Sequence, residues 1–176
     1  MDEQSNLRNF VEEITSFGDE GPAPKKEVSP VVDLPPIGIV VEIAGSGSRI
    51  QMDSAALAQL SSHSDPSVAM SGQVGSQVKM LVGGSWLIAN VRTMRSGDNG
   101  EVIASIDFLG EGQRASNGGM TSFRRGVTRY PIPGDNVLPV STEDLRSVFA
   151  ADDSPHIEIG TVYPTDDIRG ALYVDQ

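Results

Sequence analysis

Residues 96–100 spell Ser-Gly-Asp-Asn-Gly between two apolar runs, 86–93 (WLIANVRT) and 101–109 (EVIASIDFL). An Asn-Gly pair accepts positive φ at little cost, so these five residues predict a tight hairpin. The second run alternates Val102, Ala104, Ile106 and Phe108 against Glu101, Ile103, Ser105 and Asp107, the period of a strand with two unlike faces. A third run, 77–82 (QVKMLV), reaches the first through Gly83, Gly84 and Ser85. It sets Val78 and Met80 against Lys79 and Leu81. A chain with this centre folds as a β-meander, and the only tryptophan, Trp86, is expected in its core rather than as a platform for a stacked base.

The flanking text repeats the pattern. Residues 37–44 predict a strand with a polar Glu42, residues 45–48 (Gly-Ser-Gly-Ser) a turn, and residues 49–52 a returning strand. The turn is not a phosphate loop, because it lacks the Gly-Lys-Ser/Thr ending and a strand follows it. Asp53 can cap a short helix through Leu60, and residues 61–67 (SSHSDPS) read as loop. Residues 110–122 (GEGQRASNGGMTS) predict a long Gly/Ser loop. Residues 131–140 hold three prolines and a Gly-Asp turn, suiting an edge or corner rather than a central strand. Ser141 and Thr142 can each cap a helix over 143–149, with acids in its first turn. A strand over 156–163, a Pro-Thr-Asp-Asp turn and a strand over 171–174 follow. Six to eight short strands with turns every eight to twelve residues, and no alternation with helices, predict an all-β fold. The expected form is a small closed or partly open β-barrel, closure removing exposed edges.

Ahead of the barrel, Leu7, Phe10, Val11, Ile14 and Phe17 recur on one face of a helix over 1–17. Three turns of helix alone are marginal in water, so that stripe needs a cover. It is either its own domain, a neighbouring copy, or a partner's groove that the helix enters as a docking peptide. Residues 18–36, rich in Pro, Gly and charge, predict a flexible linker. The expected organisation is a docking helix over 1–17, a linker over 18–36, a barrel over 37–150 and final strands over 151–176.

The formal charge of −11 argues against general coating of nucleic acid. Residues 1–36 carry three basic and eight acidic side chains, so the remainder stands at only −6. Within it Arg124, Arg125 and Arg129 crowd together, with Arg114 in the preceding loop. They predict salt bridges to the carboxylates of a neighbouring subunit, a solvated face, or contact with DNA phosphates at the mouth of a ring channel. The chain has no cysteine, which suits the cytoplasm and removes thiolate metal sites. His63 and His156, the only histidines, read as solvated loop residues rather than zinc ligands. No apolar run approaches the roughly 18 residues of a membrane span. Asp166 and Asp167 are adjacent, which a turn explains better than acid–base catalysis. No nucleophile–base pair or metal constellation is present, so no catalytic or cofactor-binding residue is assigned.

A resemblance adds to this reading. Residues 160–167 (Gly-Thr-Val-Tyr-Pro-Thr-Asp-Asp) with 172–175 (Leu-Tyr-Val-Asp), and residues 129–135 (Arg-Tyr-Pro-Ile-Pro-Gly-Asp), resemble HerA-type hexameric DNA-translocating ATPases. Supporting runs are 38–43 (GIVVEI), 74–79 (VGSQVK) and 108–112 (FLGEG). In that family an N-terminal β-barrel, the HAS-barrel, precedes the Walker A motor, and the likeness spans residues 37–175. It implies a barrel that assembles the ring as a homo-oligomer, a hexamer in the parent. It also implies docking of a partner nuclease such as NurA or another effector, with DNA passing through the assembled ring. ATP and Mg belong to the motor, which the resemblance puts downstream, and ATP hydrolysis by these residues is not expected. The alternative is a free-standing barrel module that binds DNA or a protein through its arginines.

Overall fold

The computed structural model describes residues 34–44, 48–150 and 154–173. All of them fall in one unit, Val31–Gln176. The expected helix over 1–17, most of the expected linker and the Gly-Ser turn at 45–47 lie outside the described residues.

Seven strands make the main sheet: β1 (Gly38–Glu42), β2 (Ser48–Asp53), β3 (Gln77–Val82), β4 (Ser85–Ser96), β5 (Glu101–Arg114), β6 (Met120–Arg125) and β7 (Asn136–Pro139). Their order is β2-β1-β7-β3-β4-β5-β6, and β2 also pairs with the first half of β5. That extra pairing closes six strands into an antiparallel barrel, with β6 left outside it on the second half of β5. The expected all-β barrel is therefore closed, and closure removes the edges that its six strands would otherwise expose.

The meander forms as its turns dictate. Asn99 and Gly100 take φ of 61° and 81° in a short 3-10 turn at Asp98–Gly100. Ala104 and Ile106 face inward, with Val102 and Phe108 packed at the margin. The barrel interior is completed by Val40, Ile50, Met52, Val78, Met80 and Val137. Asp53 caps α1 (Ser54–Leu60) by accepting from the Ala55 N–H at 2.7 Å, as its position predicts.

A second apolar cluster lies on the outer side of the sheet. Trp86, Ile88, Met120 and Val140 pack there with Leu145 of α3 (Thr142–Phe149). Plain alternation lets β4 serve both clusters, Trp86 and Ile88 on the outer side and Ala89 and Val91 in the barrel. The register shift at this point falls on β5, where Leu109 is the extra residue between Phe108 and Gly110. Trp86 is 6% exposed and its indole N–H donates to the Gly118 carbonyl, so it is a core residue with no face open to a stacked base.

Three expectations are corrected. Residues 110–114 continue β5 and 120–125 form β6, so only five residues, 115–119, remain of the long Gly/Ser loop. The glycines there serve close packing: a Cβ on Gly112 would lie 2.5 Å from Met120 Cγ, and one on Gly110 would overlap the Arg124 carbonyl. Second, β7 sits between β1 and β3 rather than at an edge, pairing two residues with each. Pro139, opposite Val78, is tolerated because it is the last residue of the strand. Third, the loop over 61–67 is cut short by α2 (Pro66–Ala69), capped by Asp65 with Pro66 at its first turn. Lys79 lies on the face opposite Val78 and Met80, as the alternation of β3 predicts. It is buried beneath α3, against Asp144 and the Trp86 ring.

The last two strands, β8 (His156–Thr161) and β9 (Arg169–Tyr173), form a separate antiparallel hairpin. Its turn is rooted in the outer cluster by Ile168, 1% exposed, and by Val162. Thr165 is also buried and accepts from the Asp167 N–H at 3.1 Å. Beyond that root most side chains of the two strands are exposed.

Candidate interaction surfaces

Two surfaces carry side chains that the fold leaves unspent. The first is built on Glu111 of β5. Its carboxylate is 5% exposed and accepts from the Thr128 N–H at 2.9 Å, from the Thr128 hydroxyl and from the Arg124 guanidinium. The Thr128 backbone bond, then the Arg124 and Thr128 side-chain bonds, hold its carboxyl down at about 2, against an ordinary 4.5. This clamp ties the segment after β6 back onto β5. A bulge at Ser122, where φ is 53°, re-aims the strand just before it. The Tyr130 ring then meets Phe108 edge-on, 5.6 Å between centroids.

The four sequence-predicted arginines meet four different fates. Arg124 is committed to Glu111 and is not a free cation. Arg114, at the end of β5, sets its guanidinium carbon 5.8 Å from the Trp86 ring centroid. Arg129 lies against the turn between β3 and β4, where a Cβ on Gly83 would meet its Nη1 at 2.7 Å. Arg125 is exposed and has no ion-pair partner among the described residues. Residues 110–135 hold these four arginines and two acids, Glu111 and Asp135, for a local charge of +2 in an acidic chain. Tyr130 and Ile132 stand exposed in the same segment, the latter 66% accessible.

The second surface is the β8–β9 arm, the strand, turn and strand expected over residues 156–174. Ile157 pairs directly with Leu172, so both project from one face, and each is 57% exposed. Ile159 occupies a bulge between Glu158 and Gly160 and is 68% exposed. Cross-strand pairing sets Glu158 and Ala171 on the opposite face from Ile157 and Leu172. With Asp166 and Asp167 at the turn and Arg169 as its only cation, the arm over 154–173 carries −2. Alternation in the sequence sets Ile157 and Ile159 on one strand face, but alternation alone cannot say whether that face is covered.

Chemistry-bearing groups are otherwise absorbed into structure. Lys79 Nζ lies 2.7 Å from Asp144 Oδ2, both side chains buried, and 4.7 Å from the Trp86 ring centroid. Asp144 also accepts from the Ser141 N–H and hydroxyl in a capping box that starts α3. Asp65 caps two helices at once, accepting from the Ser67 N–H of α2 and from the Thr142 N–H and hydroxyl of α3. His63 Nδ1 accepts from the Asp65 N–H, and His156 Nδ1 lies 2.7 Å from the Ser154 carbonyl. Among the described residues no group of three His, Cys, Asp or Glu side chains could hold a metal ion. No helix among them is long and apolar enough to cross a membrane.

No protein-family model matches this chain, and no curated protein matches it.

Proposed function

We propose that this chain is an assembly and partner-docking barrel, of the kind its resemblance to HerA-type ATPases describes. The observation that carries this reading is the β8–β9 arm, anchored by buried Ile168 yet presenting Ile157, Ile159 and Leu172 to solvent. A hairpin of two strands is marginal in water, and apolar side chains on such a ribbon gain most by burial against another surface. The closed barrel over residues 37–150 agrees with the barrel that the resemblance implies. On this reading the protein works in the cytoplasm as a homo-oligomer, hexameric with its motor, and recruits a nuclease or another effector. DNA passes through the assembled ring, and ATP and Mg are handled by the motor.

Sedimentation of the motor joined to this barrel, and of the motor without it, tests the reading. A hexamer only when residues 34–173 are present supports it. A motor that assembles equally well without them overturns it.

The rival reading, a free-standing DNA-binding module, draws on exposed Arg114, Arg125 and Arg129 but loses Arg124 to Glu111. It requires duplex binding that weakens steeply with salt, the logarithmic slope falling by about 0.9 for each phosphate contact removed.

A further inference from the structure

We propose that the apolar face of the β8–β9 arm of one copy seats on the Arg125–Ile132 surface of a second copy. The inference rests on the assembly reading and gives that assembly two named sides. Its first support is charge. Copies of a chain carrying −11 repel one another, so a favourable approach has to pair an acidic element with a basic one. Residues 110–135 are net positive and the arm is net negative. Glu158 lies across a ribbon thin enough for its charge to act within a Debye length of about 8 Å.

The second support is apolar chemistry. Ile157, Leu172 and Ile159 need a partner surface that is itself apolar and rigid. Tyr130 and Ile132 supply one, because the Glu111 clamp and the Phe108 ring fix the segment that bears them. Polar and charged groups then form a rim around an apolar centre, the usual anatomy of an interface. Because the two sides are different patches of one molecule, the contact propagates around a ring or is exchanged reciprocally between two copies.

The absence of cysteine makes the test direct, since introduced thiols are the only ones present. Ile159→Cys in one preparation and Ile132→Cys in another are mixed and oxidised, both positions being exposed. The expected result is a disulfide-linked heterodimer, reduced about tenfold when Arg125→Glu and Arg129→Glu are added to the second partner. Glu158→Arg with Asp167→Arg in the first partner restores it. Cross-linking no greater than with Ser96→Cys, a control on the β4–β5 hairpin, overturns the contact. So does cross-linking that ignores the arginine reversals while duplex DNA binding is lost with them, which would assign that surface to nucleic acid. If the barrel is needed for motor assembly and the mixture does not cross-link, this contact fails and the assembly reading stands. If the barrel is dispensable, the reading itself falls.

Discussion

Glu111 illustrates how one buried carboxylate can organise a surface without taking part in what that surface binds. With its carboxyl at about 2 when folded and near 4.5 when not, its contribution to stability is complete above pH 4.5. That contribution is lost as the pH falls through 4.5 toward 2. The melting temperature of the wild type should therefore fall more steeply across that window than that of Glu111→Gln, which should already melt lower at neutral pH. Lys79 is a harsher case. Lys79→Met strands Asp144 in a site 3% exposed, and denaturant unfolding should show a loss of about 3 kcal/mol. Neither pair was legible in the sequence. Lys79 and Asp144 are 65 positions apart, and only the packing of α3 across β3 brings them together. Local residue chemistry was legible: Asp53 as a cap, Asn99-Gly100 as a turn, Trp86 as core.

Among the elements, strands with two unlike faces were read correctly, as in β3 and the first half of β5. Those built on glycine were not. Residues 110–114 look like loop text because Gly110 and Gly112 lack β-propensity, yet they are glycine so that β6 can lie close against β5. Gly110→Ala should force β6 outward at a cost of about 2 kcal/mol, visible as faster hydrogen exchange across Met120–Arg125 with the barrel strands unchanged. At α3 the capping box was half-read from Ser141 and the acids that follow it. Ser141→Ala should cost about 1 kcal/mol in the same unfolding measurement. The arginine cluster was legible as a cluster, but not that Arg124 alone of the four pairs with Glu111. That pairing depends on the strand register, which sets Glu111 opposite Arg124.

For the whole molecule, turn spacing gave an all-β barrel but left its closure open, which the β2–β5 pairing decides. The exposed arm depends on what the outer cluster leaves uncovered, which no local pattern encodes. If copies associate through exposed charge, light scattering should show association weakening between low and physiological salt, because such charges are screened beyond roughly a Debye length. The last consequence comes from β7, which closes the ring with two paired residues on each side. Five staves of this cask are held along useful lengths and the sixth by a few pegs. Thermal breathing should thus start at that seam, parting β1 from β3 while the meander stays intact. Amides of Val137 and Leu138 should take up deuterium ahead of their barrel neighbours, and a peptide with the sequence of β7 should find its way in there first.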